Sequence, residues 1–190
     1  MKRIFSIVAA LLLTSNPSIR AQSDAGAIFL LISPGARAGG MGEAQVAVAN
    51  DAYASYWNPA GLAFQEGSEL AVMHVNWLPS LADDMYYEFL GFRKQFPTLG
   101  TLGGHLIYLN LGEQVRMDEY AQYQGTFTSY MMAGAMSYST QLSPSSSFGM
   151  SAKLSYQHLV ELGTGSEKGK GTSMDFGFDL GYMKKGWLTP

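Results

Sequence analysis

Between residues 147 and 159 apolar and polar positions alternate. The even positions hold Phe148, Met150, Ala152, Leu154, Tyr156 and His158, and the odd ones Gly149, Ser151, Lys153, Ser155 and Gln157. The same period runs through 173–183, where Met174, Phe176, Phe178, Leu180 and Tyr182 face Asp175, Gly177, Asp179 and Gly181. Segment 127–141 repeats it more weakly, with Tyr130, Met132, Met136 and Tyr138 against Ser129, Ala133, Ala135, Ser137 and Ser139. Successive side chains of a strand point to opposite faces, so a period of two predicts a strand with one apolar face. Segments 67–78, 85–96 and 100–111 are strand-like in composition, although their two faces are less distinct. Six strands are predicted. The two clearest run about ten residues, the length of a tilted membrane strand.

The connections add a second regularity. Pro79 to Asp84 is medium and polar, Pro97-Thr98-Leu99 is short, and Gly112 to Gly125 is long and charged. Ser143 to Ser146 is short again, and Val160 to Gly171 is long and carries Glu161, Glu167, Lys168 and Lys170. Outer-membrane barrels alternate long external loops with short periplasmic turns. If the first strand leaves the periplasm, the loops at 112–125 and 160–171 both fall outside. The expected fold is therefore all-β, an antiparallel transmembrane β-barrel, partial here, with its first strands in residues 67–190. A soluble antiparallel sandwich also alternates, but it would carry more Lys and Glu on its outward face than the Gly, Ser and Ala found here. Tyr138, Tyr156, Tyr182 and Trp77, near strand ends, fit a membrane-interface girdle.

Composition narrows the class. Charged residues make up 14% of the chain and hydrophobic ones 47%, with 22 Gly, 11 Tyr, 10 Phe and 3 Trp. Ordinary globular chains carry about 25% charged residues. No apolar run reaches the length of a membrane helix, so a closed sheet in lipid is the fitting solution. Residues 1–21 read as a secretory signal, with Lys2 and Arg3 before the apolar stretch Ile4 to Leu13 and a cleavage point at Ala21-Gln22. Ile19 makes that point looser than an A-x-A site. Its removal leaves 9 basic against 15 acidic residues, a net charge of −6. That balance argues against nucleic acid as a partner. The chain has no Cys, which excludes both a disulfide framework and a lipoprotein anchor.

Residues 22–66 do not read as barrel strands. The apolar run Ile28 to Ile32 ends at Ser33-Pro34-Gly35, and seven of the ten residues from Gly35 to Ala44 are small. Ala44, Ala47, Val48 and Asp51 follow helix-face spacing, and Asn58-Pro59 is a turn former. Small side chains let backbone pack closely, as a hatch or plug inside a barrel must. The blocks Gly35-Ala36-Arg37-Ala38, Gly40-Met41-Gly42, Asn50-Asp51-Ala52 and Tyr56-Trp57-Asn58-Pro59-Ala60-Gly61-Leu62-Ala63 cover about thirty residues in order. In these the chain resembles the PorV/PorQ family of outer-membrane proteins, within the FadL-like β-barrels and linked to type IX secretion. The resemblance implies a hatch built on Arg37, Gly40, Gly42, Asn50, Asp51, Trp57, Asn58, Pro59, Ala60 and Gly61, and a place in the outer membrane of a Gram-negative-type bacterium. The resemblance also implies a barrel of about fourteen strands. Six strands then read as the first part of a longer barrel, or as a short protein that closes by oligomerising. Open edges in lipid are costly, which favours the former.

Catalytic chemistry is not apparent. Gly39-Gly40-Met41-Gly42 lacks dinucleotide-loop spacing, and Gly163 to Gly171 lacks the offsets of a P-loop. His74, His105 and His158 lie on three strands with no metal-site spacing. Asp175 and Asp179 share a face and, with Lys153, are expected to line a wet lumen. No enzyme activity, metal or cofactor is expected. Two readings of function lead, beside a plainer one of a structural outer-membrane protein with neither role. The resemblance implies binding of secreted proteins that bear a C-terminal sorting domain, and their transfer to other secretion-system components at the surface. Tyr120 and Tyr123 are then candidate partner anchors in an external loop. The alternative is a FadL-type diffusion channel for hydrophobic small molecules, which the polar set Ser151, Lys153, Ser155, Asp175 and Asp179 does not favour. Outer-membrane lipid is a partner in either case. Replacing Asn58 or Pro59 separates a structural hatch, which would lose assembly, from a gate, which would change uptake alone.

Overall fold

The computed structural model describes residues 26–118, 120–160 and 171–186. Six strands form one antiparallel sheet in the order β1 to β6. They are β1 Ser68–Asn76, β2 Tyr86–Phe96, β3 Gly100–Met117, β4 Tyr123–Ser143, β5 Ser146–Val160 and β6 Gly171–Lys184. Each predicted strand is present. The signal segment 1–21 and the loop residues 161–170 lie outside the described residues.

Between the bulges the register keeps even positions on one face of all six strands. One row joins Val72, Leu90, Leu106, Gly134, Leu154 and Phe176, each paired with the next. The neighbouring odd row joins Met73, Phe89, Ile107, Ala133, Ser155 and Asp175. Exposure is inverted relative to a water-soluble sheet. Phe178 and Leu180 on the even face are 74% and 75% exposed, while Ser137, Ser139, Ser147 and Ser151 on the odd face are buried. Large apolar groups point away from the protein and small polar ones point into it.

The N-terminal segment covers the odd face. It consists of short helical turns at Ile28–Leu31 and Pro59–Phe64 and three one-turn helices, α1 Ala36–Gly40, α2 Gln45–Val48 and α3 Ala54–Trp57. The helix face expected from Ala44 to Asp51 is broken. Ala49 takes a left-handed conformation with φ 32°, and Asp51 Oδ1 accepts a hydrogen bond from Tyr53 N at 3.1 Å. A short polar side chain that bonds its own backbone competes with a continuous helix in this way. Phe29, Tyr87, Phe89, Ile107, Leu109 and Ala133 form the larger core, with Tyr53 and Tyr56 packed against it. Tyr53 stacks on Phe89 at 4.8 Å.

The expected loop at 112–125 is mostly strand. Glu113, Gln114 and Val115 pair with Thr128, Phe127 and Thr126, and beyond them Asp118 N donates to the Gln122 carbonyl and Ala121 N to the Asp118 carbonyl. The β-formers Val115, Tyr123, Thr126, Phe127 and Thr128 sustain the ladder there. Both faces are solvated at this point, so its charged residues mimic a loop. The register shifts between Asn110 and Glu113, a bulge at Gly112 with φ 76°. Asp84 holds this bulge: its Oδ2 accepts from Glu113 N at 2.7 Å and its carbonyl from Asn110 Nδ2 at 2.8 Å.

Candidate functional site

The chain from Asn58 to Ala63 lies flush on β3 to β6. Asn58 caps the turn, its Oδ1 accepting from Ala60 N at 3.1 Å. Its Nδ2 donates to the carbonyls of Val46 at 3.3 Å and of Tyr182, on β6, at 3.4 Å. Pro59 supplies the fixed φ that suits the first position of such a turn. The Ala60 carbonyl accepts from Ser147 Oγ at 2.7 Å and Ser139 Oγ at 3.2 Å, and Gln141 Nε2 donates to the Ala63 carbonyl at 3.0 Å. Gly149 and Gly181 face each other across β5 and β6. A Cβ on either would collide with the Asn58-Pro59-Ala60 stretch. Gly61 in turn lets this turn pass against the Ala49 backbone. The motif is thus fitted to the wall by glycine and held by serine hydroxyls. We expect Asn58→Ala to destabilise the folded protein by about 1–2 kcal/mol, through the lost cap and the link to β6. A lower urea midpoint in detergent checks this.

The other motif blocks hold the segment together. Arg37 Nη1 donates to Asn50 Oδ1 at 2.6 Å and lies 3.5 Å from Asp51 Oδ2. Asp51 Oδ2 also accepts from Gln45 Nε2 at 3.0 Å. Trp57 Nε1 donates to the Pro34 carbonyl at 3.3 Å, and the Tyr56 hydroxyl to the Leu30 carbonyl at 2.5 Å. Burial pushes the Tyr56 hydroxyl up to about 12, so it stays a donor throughout the physiological range. A cleft of about 240 Å³ lies beside Arg37, Gln45, Asp51, Tyr53 and Trp57. Close packing does not explain every glycine here. Gly40 and Gly42 face open space, and Gly42 serves by its positive φ of 61°.

A second anchor was not legible in the sequence. His105, on β3, is 1% exposed, and its Nδ1 lies 3.1 Å from the Ser55 hydroxyl of α3. Phe89 stacks on its ring at 5.6 Å and Tyr56 meets it edge-on at 5.8 Å. Nothing in the local spacing marks His105 apart from His74 or His158. Only the covering segment makes it buried.

Lys153, Asp175 and Asp179 lie on the face that carries the N-terminal segment. The two carboxylates are not brought together. Asp179 Oδ2 pairs with Lys153 Nζ at 3.1 Å, and Asp175 Oδ2 accepts from Ser173 Oγ at 3.2 Å. Among the described residues no group of three metal-ligating side chains gathers.

The even face carries a band of rings across five strands. His74, Tyr86, Tyr108 and Tyr130 follow one another at 5.9, 6.0 and 5.9 Å, and Tyr130 meets Tyr156 at 6.2 Å and His158 at 5.0 Å. Tyr138 and Tyr182 lie on the same face toward the short turns, at the opposite strand ends. Trp77 does not join the band. It packs against the inner core beside Tyr87, because the residue follows the odd face of β1. Tyr120 and Tyr123 stand at the tip of the β3–β4 hairpin, 76% and 65% exposed.

A search among curated proteins gives no match. The profile of the family described as Type IX secretion system protein PorV matches residues 17–186, which takes in the whole N-terminal segment and all six strands. The chain belongs to the PorV family of type IX secretion system proteins.

Proposed function

We propose that these six strands form an arc of an outer-membrane β-barrel whose N-terminal segment is a fixed plug, and that the protein binds secreted proteins for the type IX system. The even face carries the reading. Every strand presents large apolar side chains away from the protein, with an aromatic band at one end. Lipid is the solvent such a face fits. The hydrogen-bonded seat of Asn58 to Ala63 favours a structural plug over a moving gate. In this orientation the short turns are periplasmic and the β3–β4 hairpin is external. The role is binding and transfer, not catalysis. Lys153, Asp175, Asp179 and Ser155 give the remaining inner face a polar character, which suits a protein-handling role better than a path for hydrophobic small molecules.

Native mass spectrometry of the protein extracted gently from its own outer membrane tests this. A complex with a secreted protein that carries a C-terminal sorting domain is the expected result. Bound fatty acid or lipid alone would move the assignment to a diffusion channel.

A further inference from the structure

The β3–β4 hairpin outruns its neighbours. The β2 ladder stops where Tyr86 pairs with Asn110, yet β3 continues to Met117. Seven further residues at about 3.3 Å each carry the strand ~23 Å past that row. On the β2 side, no described strand pairs with β3 beyond Asn110. Glu113 N points to that side, since it donates to Asp84 Oδ2. Backbone groups alternate in direction along a strand, so Val115 and Met117 present their N–H and C=O groups to the same open edge.

The hairpin is also held ready at both ends. Asp84 clamps its base at the Gly112 bulge. At the tip, Asp118 Oδ1 accepts from Tyr120 N at 2.9 Å and from Gln122 N at 2.8 Å, and its Oδ2 accepts from Gln124 Nε2 at 2.9 Å. These bonds hold the Asp118 carboxyl below its ordinary range, led by the one from Gln122. Val115, Met117, Tyr120 and Tyr123 are all about half exposed or more. An unpaired strand edge flanked by exposed apolar groups is chemically complementary to one kind of occupant, another extended strand. Pre-ordering both ends removes much of the entropy cost of receiving it.

We infer that the outer edge of β3, Glu113 to Met117, receives an extended segment of a secreted protein by strand addition, which rests on the protein-binding reading above. Apolar side chains of the incoming strand then lie beside Val115 and Met117, and Tyr120 and Tyr123 flank its end.

The test uses the full-length protein in mild detergent and a purified secreted protein that carries its own C-terminal sorting domain. Val115→Pro removes an outward N–H and spares the ladder to β4, because the affected donor faces away from it. The expected result is binding weakened about tenfold by Val115→Pro and unchanged by Val115→Thr. Amide exchange in 113–117 of the wild type should slow on binding. Binding that ignores Val115→Pro, or that leaves 113–117 unprotected, overturns the inference alone. A wild-type chain that binds no secreted protein overturns the proposed function, and this inference with it.

Discussion

Gly149→Ala is expected to prevent the N-terminal segment from seating and to lower the yield of folded protein sharply, whereas Gly177→Ala on the neighbouring strand should be tolerated. Both glycines lie on the inner face of the sheet. A Cβ at 149 would stand 2.7 Å from the Pro59 carbonyl oxygen and closer still to the Pro59–Ala60 peptide bond, while one at 177 meets nothing within 4 Å. Backbone cannot swing aside as a flexible side chain can. The turn must lift, and the Ser139 and Ser147 bonds to the Ala60 carbonyl stretch or break. Overpacking together with two weakened buried hydrogen bonds costs on the order of 3 kcal/mol, a large share of ordinary domain stability. Urea titration followed by heat-modifiable gel mobility measures both variants. Equal losses at 149 and 177 would mean that the segment is not fixed to the wall.

Leu154→Arg is the second large effect expected, and its sign carries the information. Leu154 sits in the middle even row between Gly134 and Phe176 and is 47% exposed. In water, an arginine at such a position is nearly neutral. In a bilayer it costs about 2–4 kcal/mol at mid-depth, falling to about 0–1 near the interface. His158→Arg, two rows farther along β5 in the ring band, should therefore cost little. Refolding into lipid vesicles, with folded fractions read across a urea series, gives both numbers. A flat profile from 154 to 158 would contradict a lipid-facing even face.

The strands at 147–159 and 173–183 were legible because their two faces differ in kind. On β5 and β6 the outer face is Phe, Met, Leu and Tyr, and the inner face is Gly, Ser, Asp and Lys. The period of two is blurred on β2 and β3 for a physical reason. There the inner face is apolar as well, since Tyr87, Phe89, Ile107 and Leu109 pack under Phe29. A strand apolar on both faces loses its alternation. The hairpin extension was hidden by the opposite circumstance, since both of its faces are wet.

The motif Asn58-Pro59-Ala60 was recognisable as a turn, but its seat was not. Gly149, Gly177 and Gly181 look alike in the sequence, and only the position of the turn makes two of them necessary. The anchoring role of His105 is hidden for the same reason. Its burial comes from residues fifty positions away, which no local pattern reports.

The absence of cysteine makes the central claim directly measurable. Single cysteines placed one at a time at positions 150–157 of β5, with Gly149 left in place, can carry nitroxide labels in native outer-membrane vesicles. Collision rates with oxygen, which concentrates in lipid, and with a water-soluble nickel chelate then report each position's surroundings. A lipid-facing sheet with an inner plug predicts oxygen maxima at 150, 152, 154 and 156, with low access to both reagents at 151, which is buried on the inner face. Nickel maxima at the even positions would place that face in water and contradict the barrel.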